Sequence, residues 1–214
     1  MAIPSDLSPV TDFMWRTALQ QARRRFAFLF LDGGRQAVLE ALHPYRNADG
    51  GFGNALEPDV RAPGSQPMPT WMARSILDEA RAFDAPLVTR ICDYLQSITS
   101  AEGGIPFVLP SVRARPRAPW WETADQPPAD LNPTAAIAAL LHKHRVEHPW
   151  MAAASDFAGG ASRGWSTPRP MRERVDGPGG STLQRCRFCH QIREKPPSAF
   201  SPVREKRTLR GDQP

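Results

Sequence analysis

Two carboxylates stand two residues apart at Glu57 and Asp59, with Pro58 between them and Arg61 just beyond. That spacing, stiffened by proline, can aim both acids to one side, where either could lend a proton to an alkene or an alcohol. The bland alternative is that Glu57 and Asp59 cap the next helix or pair with Arg61. The Trp120-Trp121 pair and Trp71 supply π faces that could line an apolar pocket and steady a developing positive charge. Packing competes for the same residues, because tryptophans bury large areas in any helical core. Glu57 and Asp59 are therefore the candidate catalytic acids, and Arg61, Trp71, Trp120 and Trp121 the candidate substrate pocket.

Other groupings offer less. His142 and His144 flank Lys143, with His148 close behind. A spacing of two puts the first two on different faces of a helix, so solvent exposure is expected and no metal site. Cys186-Arg187-Phe188-Cys189-His190 matches the attachment pattern of c-type haem, but it lies in a stretch rich in Pro, Arg, Ser and Gly, with no export signal upstream. Coincidence is the preferred reading, and no cofactor is expected. Arg23-Arg24-Arg25-Phe26 sits too deep in the chain, with no small-residue cleavage site after it, to act as a twin-arginine signal.

The net charge of +5 is not spread evenly. From Ala152 onward stand 12 of the 27 basic residues against 6 of the 22 acidic ones, so the remainder is near neutral. The body has no identifiable basic face and the tail little aromatic interleaving, which argues against nucleic acid as a partner. Three cysteines without regular spacing argue for a reducing compartment, with the cytoplasm as the default. The longest apolar run, Phe26 to Leu31, closes at Asp32 and is far short of a membrane span.

The elements that must position these groups read as helices. Ser8-Pro9 opens a long amphipathic segment that continues to Gly33-Gly34. A second helix runs from about Arg35 to Pro44 on Val38, Leu39 and Leu42; a third runs from about Met68 to Phe83 on Met72, Ile76, Leu77 and Ala80. Asp84 and Pro86 open a fourth with the stripe Val88, Ile91, Cys92, Leu95 and Ile98. Asn132 as N-cap and Pro133 open a fifth on Ile137, Ala138, Leu140 and Leu141. Strand signals are nearly absent, so the fold class is all-α.

Two loops match. Asp49-Gly50-Gly51-Phe52-Gly53 and Glu102-Gly103-Gly104-Ile105-Pro106 each follow an amphipathic helix, about 53 residues apart. Each leads to a polar-Pro pair, Gln66-Pro67 or Asn132-Pro133, with Thr70 or Thr134 beyond. The glycines let the chain turn with positive φ and lie close to a neighbouring helix. Asp49 and Glu102 hold equivalent places, which suggests a structural task such as accepting hydrogen bonds from the next turn. A helix, Gly-Gly loop, helix unit cannot bury its stripe alone, so copies must stack.

The stretch Asp49 to Gly53, followed by Pro67, Thr70, Ala73 and Leu77, resembles the repeat of protein prenyltransferase β subunits and squalene-type cyclases, in which a Gly-Gly-Phe loop feeds an inner helix. The resemblance extends over about residues 13 to 151 and implies an α/α toroid of helical hairpins, of which five helices make about half a ring. It also implies an apolar, isoprenoid-like substrate in a ring cavity. Three departures bear on the chemistry. Arg46 and Asn47 stand where the family has a glutamine ahead of the aspartate, no Asp-Xaa-Asp-Asp run occurs, and no Asp, Cys and His trio suited to zinc lies in the resembling region. Neither family mechanism transfers residue by residue.

The sequence is thus expected to comprise an incomplete toroid over residues 1–151 and a disordered basic tail over 152–214, the tail reading as the end of a truncated or frame-shifted product. On that reading this chain is an inactive fragment, and its full-length form handles an apolar substrate. The alternatives are a half-ring whose open side a second copy covers, and a non-catalytic helical scaffold or binding domain.

Overall fold

The computed structural model describes residues 6–163. The order is α1 (Ser8–Thr17), α2 (Gln20–Phe30), α3 (Arg35–Leu42) with a 3₁₀ turn at His43–Tyr45, α4 (Pro67–Glu79), α5 (Ala85–Ser97), two more 3₁₀ turns at Pro110–Val112 and Pro119–Trp121, α6 (Leu131–Lys143) and α7 (Trp150–Arg163). Among the described residues no strand forms, and only isolated antiparallel bridges occur. The fold is all-α.

The helices pair as hairpins: α2 packs on α3 and α6 on α7. Across hairpins, α4 lies against α6 and α5 against α7. Arg25 reaches from α2 to Glu79 on α4 through two hydrogen bonds of 2.5 Å. The hairpin turns have one construction. Arg81 after α4 and Arg145 after α6 both take φ +52°, and the next amides, Ala82 and Val146, donate back to the carbonyls of Leu77 and Leu141 at 2.9 and 3.0 Å. This closure wraps the chain under the last turn and satisfies carbonyls the helix leaves open. It also ends the third helix earlier than the periodicity predicts, because Ala82 and Phe83 belong to the turn.

The main core gathers Val38 and Leu42 of α3, Ala73, Ile76 and Leu77 of α4, Ile91 and Leu95 of α5, Ile137 and Leu141 of α6, and Trp150 and Ala154 of α7. Arg74 is wholly buried within it. Its Nη1 donates to the carbonyl of Ile137 at 3.0 Å, its guanidinium lies 5.3 Å from the centre of the Phe83 ring, and burial pulls its pKa down to about 10. Beside it, Asp78 joins α4 to α6 through Lys143 Nζ at 2.7 Å and His144 Nε2 at 2.5 Å. Burial resists ionisation of Asp78, and those two partners outweigh it, holding the carboxyl below the usual range.

Three expectations change. The first long helix is broken at Ala18 and Leu19, both extended at ψ near 153°. Thr17 there bonds back to the carbonyl of Phe13, a side-chain competitor to helix continuation. The N-cap of α6 is Asp130, whose carboxylate accepts from the Asn132 amide at 2.8 Å, and not Asn132 itself. Finally, Ala152 to Arg163 are helical, so the boundary expected at residue 151 falls inside α7. Expectations for residues beyond 163, including the tail and the Cys186 to His190 motif, lie outside the described residues.

Candidate functional site

The two glycine loops are built alike to the level of single hydrogen bonds. In the first, the Asn47 amide donates to Gly51 O, and Gly50 turns at φ +92°. Thr70 Oγ1 accepts from the Phe52 amide at 3.0 Å and donates to Gln66 O at 2.7 Å, while the Gln66 amide donates to Phe52 O at 2.9 Å. In the second, Ser100 donates to Gly104 O and Gly103 turns at φ +91°. Thr134 Oγ1 accepts from Ile105 at 2.9 Å and donates to Asp130 O at 2.7 Å, while the Asp130 amide donates to Ile105 O at 2.9 Å. Each clasp pins the loop to the start of the next helix. Phe52, Ile105, Thr70 and Thr134 are all buried.

Close approach explains the glycines. A Cβ on Gly50 would stand 2.2 Å from Arg90 O, and one on Gly51 would stand 2.8 Å from the Tyr94 ring. A Cβ on Gly103 would meet Ala153 O at 2.9 Å, and one on Gly104 the Phe157 ring at 2.7 Å. Arg90 and Tyr94 on α5 therefore correspond to Ala153 and Phe157 on α7. The acids differ. Asp49 Oδ1 accepts from the Gly51 amide at 2.9 Å and from Ser65 Oγ at 2.7 Å. At the second loop the Glu102 amide instead donates to Ser100 Oγ at 3.2 Å, and the Glu102 side chain is exposed.

Between clasp and helix the chain makes two long excursions, and these fold onto each other. Ala118 donates to Asp59 O and Arg61 donates to Pro116 O, each at 2.9 Å. Gln66 bridges to the second excursion, donating to Ser111 Oγ at 2.7 Å and accepting from the Leu109 amide at 2.9 Å. Val60, Ala62, Val108, Val112 and Trp121 form a second, smaller core beneath them.

Glu57 and Asp59 sit on this platform. Trp120 Nε1 donates to Asp59 Oδ2 at 2.8 Å, while Oδ1 is buried with no partner among the described residues. Glu57 is half-buried; burial first, and the neighbouring Asp59 charge second, push its carboxyl up to about 7. Asn54 and Ala55, just before it, both take positive φ, 54° and 63°. Consecutive non-glycine residues in that region carry strain, which concentrates where a side chain must be held in place.

The pocket residues divide. Trp120 is 45% exposed and holds Asp59, and Trp121 is buried against Phe107 with ring centres 5.5 Å apart. Trp71 packs instead against the main core. Arg61 is exposed, and no hydrogen bond or ion pair joins its side chain to either acid among the described residues. Sequence reading missed Arg117 here. Its Nη2 pairs with Glu122 Oε1 at 2.7 Å, and its Nε is buried without a partner among the described residues.

The histidines separate as well. His142 Nε2 lies 2.8 Å from Ser155 Oγ, and His148 Nε2 lies 3.1 Å from Asp93 Oδ1. His144 is not solvent-exposed as its spacing predicts, because it is half-buried with its ring stacked 3.9 Å from Phe83. Among the described residues no three His, Cys, Asp or Glu side chains gather as a metal cluster, and no helix is long and apolar enough to cross a membrane. Comparison with profiles of known protein families, with curated proteins and with solved structures finds no match.

Proposed function

We propose that this chain is a helical-hairpin array of the terpenoid cyclase and protein prenyltransferase type, and that Glu57 is the proton donor to an apolar, isoprenoid-like substrate held at the loop platform. The observation that carries the reading is the pairing of a half-buried carboxyl, pushed up to about 7 by its burial, with a second carboxyl, Asp59, anchored by Trp120. Two acids placed in different surroundings can divide the work, with the raised carboxyl of Glu57 holding a proton near neutral pH beside the anchored Asp59. Closure of the hairpins into a ring and a cytoplasmic location belong to the same proposal. They are supported by the repeated clasps and by the sparse, irregular cysteines.

A carbon-detected NMR titration of the full chain tests the acid directly. Glu57 should titrate near 7; a midpoint in the usual carboxylate range removes the proton donor. Incubation with isoprenoid alcohols and prenyl diphosphates then tests turnover, which Glu57→Gln should abolish.

A second reading, a non-catalytic array that assembles with itself, has its own observation. In α1 no residue is buried, and Val10, Phe13, Trp15, Leu19, Leu29 and Phe30 are exposed on the first two helices and their junction. Gel filtration of the full chain reads this: a dimer favours self-assembly, and a stable monomer disposes of it.

A further inference from the structure

Between α3 and the turn from α4 to α5 lies a cleft of about 530 Å³, within the range that holds small organic ligands. It lies apart from Glu57 and Asp59, neither of which lines it. Its floor is apolar, formed by Leu39 and Leu42 of α3, Leu77 of α4, Phe83 of the turn and Leu87 of α5. Its rim is basic: Arg35, Arg46, Arg81 and His43 reach it, against Asp84 alone.

This concentration of charge stands out in a body that is otherwise near neutral. Among the described residues neither Arg46 nor Arg81 enters an ion pair, and Arg35 spends one N–H on the Arg81 carbonyl at 3.2 Å. The Arg81 backbone is fixed at φ +52° by the hairpin closure, so its guanidinium springs from a rigid point. Asp84 makes no side-chain cap hydrogen bond to α5, so the first amide N–H groups of that helix take no acceptor from it beside the cleft. A bare inorganic anion would leave the leucine floor wet, and a neutral lipid would leave the arginines unanswered. A ligand that matches both has one anionic head and one short hydrocarbon tail.

We propose that this cleft binds a small single-tailed amphiphile with a carboxylate or phosphate head, the head between Arg46 and Arg81 and the tail on the floor of Leu39, Leu42 and Leu87. The site is independent of the acid pair on the loop platform, and stands or falls without it.

Calorimetric titration of the full chain with decanoate and with decyl phosphate reads the proposal, with decyltrimethylammonium and inorganic phosphate as controls. At least one anionic amphiphile should bind, with affinity that falls as salt rises, and the tighter of the two identifies the head. Arg46→Gln combined with Arg81→Gln should weaken binding by about tenfold or more, the loss expected when charge-assisted hydrogen bonds are removed. Neither arginine is buried, so the double variant should keep its helical circular dichroism. Leu87→Gln should weaken the amphiphile while leaving inorganic phosphate as it was. The proposal is overturned if the cationic amphiphile binds as well as the anionic ones, if inorganic phosphate alone binds equally tightly, if the double variant binds unchanged, or if no anionic amphiphile binds.

Discussion

At the scale of the residue, Glu57 gives the clearest experiment. Its carboxyl is raised from 4.5 to about 7, so the folded chain holds a proton that the unfolded chain has released over that interval. Stability must then fall as pH climbs from about 4.5 to 7, because the native state binds more protons than the unfolded state there. Glu57→Gln removes this slope. The variant should match the parent at pH 4 and exceed it by about 1 kcal/mol at pH 8, after allowance for solvent screening at a half-exposed group. Thermal melts at the two pH values decide it, and equal differences at both would show that the carboxyl is not perturbed. The glycines offer a graded pair. Gly50→Ala drives a methyl to 2.2 Å from a backbone carbonyl, whereas Gly103→Ala brings it only to 2.9 Å, and both positions have positive φ. Urea unfolding should show a cost above about 3 kcal/mol for Gly50→Ala and a cost nearer 1 to 2 for Gly103→Ala; a reversed order would contradict the packing. The turn-forming glycines were plain in the sequence, since acid-Gly-Gly-apolar twice over has few other uses. The raised carboxyl was not, because its main cause is burial in the folded chain, and no local pattern encodes that.

At the scale of the element, the threonines matter most. Thr70 and Thr134 each join a loop amide to the N-cap carbonyl of the next helix inside the core, so Thr→Val keeps the shape and leaves that buried loop amide without its acceptor, while the carbonyl keeps its bond from the backbone amide of the same residue. Each substitution should cost about 2 kcal/mol. The two share no partner, so the double variant should lose the sum in chemical denaturation. A loss under about 0.5 kcal/mol for either would mean the clasp is dispensable. Both threonines were visible as a matched pair after the polar-Pro signal. Helices α3 to α6 were legible because their apolar residues recur on one face, and the starts of α4, α5 and α6 also carry Pro or Asp. Helix α7 was missed because, beyond Trp150 and Met151 at its start, its buried face relies on Ala154 and half-buried Phe157, with Gly159 and Gly160 diluting the signal. A closer comparison finds it: Asp93-Tyr94 on α5 reappears as Asp156-Phe157, at the interval that also separates Arg90 from Ala153. The break between α1 and α2 left no such mark, since apolar spacing runs through it and only the Thr17 side chain competes with the helix.

At the scale of the whole molecule, α7 is the partner that lets the third hairpin close over the second glycine loop. A chain ending at Met151 should therefore lose hydrogen-exchange protection in α6 and around Gly103, while one ending at Arg163 should keep it. Equal protection in the two would show that α7 adds nothing to the fold. The all-α class was readable from composition and period, whereas the smaller core under the loops was not, for it depends on residues brought together from both excursions. The threonine clasps carry one more consequence. Each ties off a detour at its base, uniting residues 18 apart in the first case and 29 in the second, yet the tied ends share the same hydrogen bonds. Scaffold and furnishing are thereby uncoupled: whatever is spliced between the pinned ends can lengthen, shorten or change its chemistry without the helices having to move.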